Sequence, residues 1–281
     1  MTSYKSMSDK PSVRSPWFWV PSLYFAQGIP YVAVMIVSVL MYKRLGVSNT
    51  DIALYTSWLN LPWVIKPFWS PFVDLLKTKR WWVVTMQLLI GAGLAGVAFT
   101  IPTTFFFQAS LAVFWLLAFS SATHDIAADG FYMLALDSHE QAFFVGIRST
   151  FYRIAIIAGQ GVLVMFAGFL ENSTGNIPLA WSVTFFILGG LFLALFLYHR
   201  YILPLPKGDK PSATVTPSTI LKEFFATFVS FFKKTLDFFQ PVIYYKDIED
   251  MFIFDYNPLL IYLYSPQKEQ ISLSALFTIY L

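Results

Sequence analysis

Residues 105–136, FFFQASLAVFWLLAFSSATHDIAADGFYMLAL, are mostly apolar or small, with His124, Asp125 and Asp129 among them. A helix of this length can cross the roughly 30 Å hydrocarbon core of a bilayer. Ionisable side chains are costly at that depth, so a helix that keeps them is expected to face a polar interior. The stretch therefore predicts a membrane helix that lines a functional site.

Further apolar runs flank this stretch and complete a predicted bundle of six membrane-spanning helices. Each run is near or above the roughly 20 residues that a spanning helix needs. The composition agrees, because 57% of the 281 residues are hydrophobic and only 12% are charged. The fold class is therefore an all-α polytopic membrane protein. The other predicted spans are 17–41, 52–76, 82–101, 147–170 and 180–198.

The basic residues between the runs predict the orientation of the bundle. Eleven Lys and Arg residues lie on one side and two on the other. Because Lys and Arg concentrate in cytoplasmic loops, the side with eleven is predicted to be cytoplasmic, and it includes the N-terminus. The cytoplasmic set is Lys5, Lys10, Arg14, Lys77, Lys79, Arg80, Arg148, Arg200, Lys207, Lys210 and Lys222, and the opposite pair is Lys43 and Arg44.

The chain divides into four predicted regions. Residues 1–16 form a cytoplasmic N-terminus, and 17–200 form the six-helix bundle. Residues 201–240 form a cytoplasmic linker, in which aromatic and aliphatic residues recur at helical spacing over 220–239. This spacing predicts an amphipathic helix on the inner membrane surface, with a short core helix as the alternative. Residues 241–281 are an irregular tail, because their two apolar runs are too short to span a bilayer.

The composition also excludes several classes of function. The chain has no Cys, which excludes disulfides, thiol catalysis and Cys-ligated metals. The net charge is only +3 and the basic residues are scattered, so nucleic-acid binding has no support. No Gly-rich ATP-binding loop is present, and no motif indicates a cofactor or a metal site. The chain is predicted not to be an enzyme, and the lipid bilayer is an expected partner, because the apolar runs need lipid around them.

Three ionisable side chains inside the runs fall at similar depths. Counted from the predicted cytoplasmic ends of their spans, Lys66, Asp129 and Asp125 lie at heights of roughly 15, 12 and 18 Å. Asp125 and Asp129 are four residues apart and share one helix face, so Lys66 can reach either of them if the two helices are neighbours. Two interpretations stay open. The cluster either holds and releases a proton during transport, or it is a static ion-pair network that fixes helix packing.

Four more polar residues are candidates for the substrate or proton pathway. Arg153 lies near the start of the fifth run, and Gln27 and Gln160 are contacts for a solute or, alternatively, hydrogen bonds between helices. His124 and Asp129 match the H-x4-D spacing of glycerolipid acyltransferases, but the companion blocks of those enzymes are not evident. His124 is instead predicted to be a polar residue that is satisfied inside the bundle.

The predicted inner loop after the second run carries an acid followed by bases. Asp74 lies near the end of the run, and Lys77 and Arg80 follow it. An acid at a helix end beside bases can form a gate on the cytoplasmic face. Alternatively, the bases anchor the loop as the positive-inside rule expects.

This loop and three other stretches resemble a known family. Asp74 and its following bases are similar to the loop between helices two and three of major facilitator transporters, although Ser70-Pro71 replaces the usual Gly-rich start. Within that superfamily, three stretches look like AmpG-type muropeptide permeases and the related acetyl-CoA transporters. They are LYFAQGIP (23–30), LPWVIKPFWSP (61–71) and ATHDIAADG (122–130), of which the last is the most specific.

The resemblance covers about residues 17–240 and implies the N-terminal six-helix bundle of a major facilitator fold, with inverted three-helix repeats. It implies a secondary active transporter, driven by the proton gradient, that imports a muropeptide, a related cell-wall sugar or acetyl-CoA across the bacterial inner membrane. A complete member has two such bundles. We therefore expect a truncated or frame-shifted form of a longer transporter, or a homodimer that pairs two halves. The alternatives are a non-transporting scaffold or receptor and an inactive transporter fragment.

Overall fold

The computed structural model describes residues 15–210 and, beyond them, residues 221, 222, 224–226, 229, 230 and 233. Nearly all of this described part is helical, and it contains no strand. The helices of residues 15–210 are α1 (Pro16–Arg44), α2 (Asn49–Thr56), α3 (Leu61–Val64), α4 (Lys66–Leu76), α5 (Lys79–Thr100), α6 (Phe106–Ala135), α7 (Ser138–Thr174) and α8 (Ile177–Ile202).

Five of the described helices, namely α1 and α5 to α8, are long and apolar enough to cross a membrane. They confirm the predicted all-α membrane bundle. The second predicted span, 52–76, is present as α2, a 3-10 turn at Ser57–Asn60, α3 and α4 rather than as one helix. Pro62 and Pro67 lie at the starts of α3 and α4 and explain this interruption, because proline lacks the backbone N–H that continues a helix.

Two helix ends differ from the predicted spans. Helix α7 begins at Ser138 rather than near residue 147, because Asp137 and Glu140 form a capping box that satisfies its first amides. Helix α8 continues beyond residue 198 to Ile202, so His199 lies in its last turn and is fully buried. The longer α8 brings His199 into the bundle, whereas the predicted span 180–198 left it outside.

Glycine allows two pairs of helices to approach closely. Helix α1 packs on α7, where a Cβ at Gly28 would lie 2.8 Å from Ala155 Cβ and 2.9 Å from the Tyr152 carbonyl oxygen. Both helices contain a π-helical turn at this crossing, Ala33–Val37 and Gly159–Leu163. Helix α5 packs on α8 in the same way through Gly189. Small residues at such crossings are typical of membrane helices.

The buried side chains form two hydrophobic clusters that lie along the bundle axis. On α6 the first cluster includes Phe114 and Ala118, and the second includes Ala127 and Phe131. His124 and Asp125 lie between them and are both buried. The two apolar clusters thus enclose a polar layer at the depth of the candidate site.

Several predicted regions fall partly or wholly outside the described residues. Residues 1–14 of the predicted N-terminus, residues 211–220 of the linker and the tail 241–281 are outside them. Within the predicted amphipathic helix 220–239, the described residues are helical, and Leu221, Phe225 and Val229 are exposed. The Phe224 ring lies 6.1 Å from the Phe68 ring, measured between centroids.

We expect Gly28→Ala to destabilise the bundle, because the added Cβ meets a backbone carbonyl that cannot move independently of α7. The free energy of unfolding should fall by about 1–3 kcal/mol, which is the usual cost of overpacking a protein core. Thermal unfolding in detergent measures this change. Gly168→Ala is the matched control, because a Cβ there has no neighbour within 4 Å. Equal melting temperatures for the two variants would contradict the close crossing of α1 and α7.

Candidate functional site

An ion pair joins the interrupted segment to α6. The Lys66 ammonium at the start of α4 lies 2.6 Å from Asp125 Oδ2. The Asp125 carboxylate is buried, whereas the Lys66 side chain is partly exposed. Trp63 lies beside the carboxylate, and Oδ1 has no hydrogen bond of good geometry with any described residue. The break before Lys66 starts a new helix at this residue, opposite Asp125.

A second ion pair lies one turn farther along α6. Arg148 of α7 donates to Asp129 Oδ1 at 3.0 Å, and the Tyr24 hydroxyl of α1 donates to the same oxygen at 3.1 Å. The Arg148 guanidinium also lies 4.6 Å from the centroid of the Tyr24 ring and 5.1 Å from that of Tyr132. From the sequence, Arg148 was predicted only to be one of the basic residues on the cytoplasmic side, and not a site residue. Arg148 lies inside the predicted fifth span, 147–170, where a base is costly in lipid, and this position is the signal that could have found it.

The two carboxylates therefore hold basic partners from different helices. Lys66, which the sequence allowed to reach either carboxylate, pairs with Asp125, and Asp129 pairs with Arg148. Protonation of a carboxylate removes its charge and with it the Coulomb attraction to its partner. Each ion pair is thus a contact between two helices, and the strength of this contact depends on whether the carboxylate is protonated.

A buried hydrogen-bond chain links four helices beside these pairs. Gln87 of α5 stands between two imidazoles, with its Oε1 3.0 Å from His199 Nδ1 and its Nε2 3.1 Å from His124 Nε2. His199 Nε2 lies 3.0 Å from the Ser22 hydroxyl of α1. In this amide orientation His199 donates to Gln87 and Gln87 donates to His124. Gln87 and His199 were missed as site residues, although a lone amide in an apolar span is a visible signal.

His124 and Asp129 do not form the His–carboxylate pair that acyl transfer requires. His124 Nε2 bonds to Gln87, its Nδ1 has no partner among the described residues, and the ring is fully buried. Asp129 bonds instead to Tyr24 and Arg148. His124 was predicted to be hydrogen-bonded inside the bundle. Among the described residues, only its Nε2 has such a partner. In the part of the chain that the structure describes, no cluster of His, Asp and Glu is arranged to hold a metal.

The remaining pathway candidates are not gathered around the two ion pairs. Gln27 is buried in α1, and its Oε1 has no hydrogen-bond partner in the described part of the chain. Arg153 and Gln160 are exposed on α7, where Ile157 and Met165 are exposed as well. These two polar residues face away from the bundle interior.

The three predicted gate residues make separate contacts at the end of the bundle where α4 meets α5. Asp74 pairs with Lys79. The Lys77 ammonium lies 5.9 Å from the centroid of the Trp81 ring. Arg80 donates to the carbonyl of Leu203 at 3.3 Å and to that of Arg200. Asp74 therefore pairs with Lys79, which is not one of the three predicted gate residues.

An ion pair at the opposite end of the bundle was not predicted. Arg44 Nε donates to Glu171 Oε2 at 2.9 Å, and Trp181 Nε1 donates to Oε1 at 2.7 Å. Glu171 lies one residue beyond the predicted fifth span, so it was treated as part of a loop. This contact ties the ends of α1, α7 and α8 together.

The pattern of the BT1 family matches residues 25–256 of the chain, which include both ion pairs and the histidine–glutamine chain. The chain belongs to the BT1 family. This BT1 protein also has curated relatives that bear the AmpG name, which confirms the resemblance predicted from the three stretches. With its five long apolar helices, it is a multi-pass membrane protein.

Three relatives illustrate the extent of the similarity. The BT1 protein is 29% identical over 181 residues to a putative transporter AmpG 4 of Rickettsia conorii, covering 59% of this chain and 40% of the relative. It is 26% identical over 239 residues to a protein of that name from Rickettsia felis, covering 78% and 53%. It is 27% identical over 151 residues to the anhydromuropeptide permease of Escherichia coli K12, covering 51% and 30%. The chain thus spans about half or less of the length of these relatives.

We expect Gln87→Leu to destabilise the BT1 protein, because it leaves His124 Nε2 and His199 Nδ1 buried without a partner. The loss should be about 1–3 kcal/mol of unfolding free energy. Unfolding in detergent followed by circular dichroism measures it. Gln160→Leu is the matched control, because Gln160 is exposed and outside the chain of hydrogen bonds. A loss in the control as large as that of Gln87→Leu would refute the structural role of the amide.

Proposed function

We propose that this chain is the N-terminal bundle of a secondary active transporter that imports a cell-wall-derived muropeptide, a sugar or a related solute together with protons. The names of the relatives support the class of solute, and membership of the BT1 family supports the fold. The single observation that carries the proposal is the pair of carboxylates on one face of α6, each held by a base from another helix.

In this proposal Asp125 couples transport to protons, because its ion pair joins the continuous helix α6 to the interrupted segment from α2 to α4. A proton from the outer solution neutralises the Asp125 carboxylate, and the contact with Lys66 loses its Coulomb attraction. The segment from α2 to α4 is then free to move relative to α6. When the proton leaves to the inner solution, the charge returns and the ion pair forms again. Asp129 supplies the same kind of contact between α6 and α7.

The exposed face of α7 supports the need for a second bundle. Arg153 and Gln160 lie on this face beside exposed apolar side chains. In our proposal they face the second bundle across the solute path. That bundle comes either from a second copy, which would make a homodimer, or from sequence outside this chain.

Orientation and location are part of the same proposal. The side that carries Asp74, Lys79 and Arg80 is cytoplasmic, and the N-terminus lies on that side, as the distribution of basic residues indicates. The membrane is the bacterial inner membrane, for which the muropeptide permease name of a relative is the support.

A second candidate is a solute-binding scaffold or receptor that does not transport. It is favoured by the connections of Asp129, whose oxygen accepts from both Tyr24 and Arg148 and so ties three helices together. Such a multiply bonded carboxylate is typical of a static network as well as of a proton site.

We expect Asp125→Asn to abolish proton-driven uptake, because a side-chain amide stays neutral and cannot take up a proton on one side of the membrane and release it on the other. The assay is uptake of a radiolabelled anhydromuropeptide into proteoliposomes that contain the full chain, with an acid outer solution. Asp51→Asn is the matched control, because Asp51 lies in the first turn of α2 and takes no part in the two ion pairs.

The outcomes separate the two candidates. Uptake by the wild type and by Asp51→Asn, with none by Asp125→Asn, supports the transporter. Binding of the anhydromuropeptide without any uptake by the wild type supports the receptor. Neither binding nor uptake by the wild type contradicts both candidates.

The double variant Lys66→Gln, Asp125→Asn distinguishes coupling from packing. Removing one partner of a buried ion pair destabilises by about 3–5 kcal/mol, whereas replacing both charges is often neutral. We therefore expect the double variant to regain the melting temperature that the single variant Asp125→Asn loses, while proton-driven uptake stays absent. Recovery of both stability and uptake would mean that the pair only fixes helix packing.

A further inference from the structure

A groove lies on the outside of the bundle, between the ends of α5 and α8. Its volume is about 540 Å³, and it is separate from the two ion pairs of the proposed transport site. It opens at the end of the bundle that carries most of the basic residues. The predicted spans 82–101 and 180–198, which lie within α5 and α8, contain no Asp, Glu, Lys, Arg or His, and such helices are typical of those that face lipid.

The wall of the groove changes in character with depth. Arg80 and Arg200 lie at its mouth, and Trp81 and Tyr201 lie next to them. About two turns deeper, at roughly 10 Å, the wall is mostly apolar, with Val84, Leu88 and Phe196 beside the hydroxyl side chain of Thr85. This order matches the parts of a phospholipid. Arginine corresponds to the phosphate, the aromatic rings to the interfacial region and the aliphatic side chains to the acyl chain.

The exposure of these side chains indicates what covers them. Leu205 is 80% exposed and Tyr201 is 70% exposed, and both line the groove. Apolar and amphipathic side chains at a membrane surface are stabilised by lipid rather than by water. The side chain of Arg200 is exposed as well, and it makes no hydrogen bond or ion pair with another described residue. A cation in this position is available to an anionic headgroup.

Among the described residues that line the groove, Asp209 is the acidic one, and it does not oppose this role. Both carboxylate oxygens of Asp209 accept from backbone amides at the start of α5, from Lys79 at 2.6 Å and from Arg80 at 3.0 Å. The positive end of the helix dipole therefore offsets its charge. The same contact holds the loop after α8 on α5, and this loop also carries Lys207 and Lys210.

We propose that this groove binds an anionic phospholipid of the surrounding bilayer. Its phosphate lies at Arg200 beside Arg80, and one acyl chain follows the apolar wall past Leu88. A basic pocket between membrane helices on the cytoplasmic side is the setting in which anionic headgroups are recognised. The apolar wall favours a lipid over a soluble phosphate, which would leave that wall uncovered.

Native mass spectrometry of the delipidated full chain in detergent tests the proposal, with phosphatidylglycerol and phosphatidylcholine of the same acyl chains as probes. We expect a preference for phosphatidylglycerol that Arg200→Gln lowers by about fivefold, the effect of one cation near an anionic lipid surface. Arg200→Lys should keep the preference. Lys43→Gln is the matched control, because it removes one charge at the opposite end of the bundle.

Three results would overturn the lipid site. The first is equal binding of the two lipids by the wild type, and the second is an equal loss for Arg200→Gln and Lys43→Gln. The third is displacement of phosphatidylglycerol by sn-glycerol 3-phosphate, which would indicate a site for a soluble phosphate. Leu88→Asn changes no charge and should also weaken lipid binding. Unchanged binding in this variant would refute the path of the acyl chain, and melting temperatures show that each variant is folded.

Discussion

A charge within the hydrocarbon core of a bilayer must find its partner inside the protein, because lipid supplies neither water nor counterions. Asp125 and Asp129 meet this requirement through Lys66 and Arg148, which come from two different helices. The positions of α4 and α7 relative to α6 thus depend on these two contacts. Burial of the Asp125 carboxylate strengthens its pair with Lys66, whereas the Asp129 side chain is 44% exposed and its pair with Arg148 is weaker for that reason.

The packing of the helices makes these contacts possible. Helix α1 reaches α7 closely enough for Tyr24 and Arg148 to bond to the same oxygen, because glycine at the crossing leaves no Cβ between the backbones. The interruption of the second predicted span has a related effect. It starts a helix at Lys66, directly opposite Asp125, within a segment of short helices. The continuous helix α6 and the interrupted segment from α2 to α4 therefore meet at the ion pair between Lys66 and Asp125.

Much of the fold could be predicted from particular residues. The apolar runs located α1 and α5 to α8, and Asp125, Asp129 and Lys66 marked the depth of the site. The boundaries were less predictable, because hydropathy does not detect caps. Asp137 and Glu140 start α7 at Ser138 rather than near residue 147, and the continuation of α8 buries His199. The partners of His199, Ser22 and Gln87, are remote in sequence, so spacing alone did not reveal them.

The sequence by itself determined that the chain is a helical membrane protein with acidic groups inside it, because length, hydropathy and charge are local properties of each segment. Only the tertiary structure decided which base pairs with which acid and that Gln87 joins two histidines. It also decided that Arg153 and Gln160 face outward. These facts depend on helix rotation and on neighbours that lie 19 to 112 residues apart in the sequence. Both are set by packing, and no single segment encodes them.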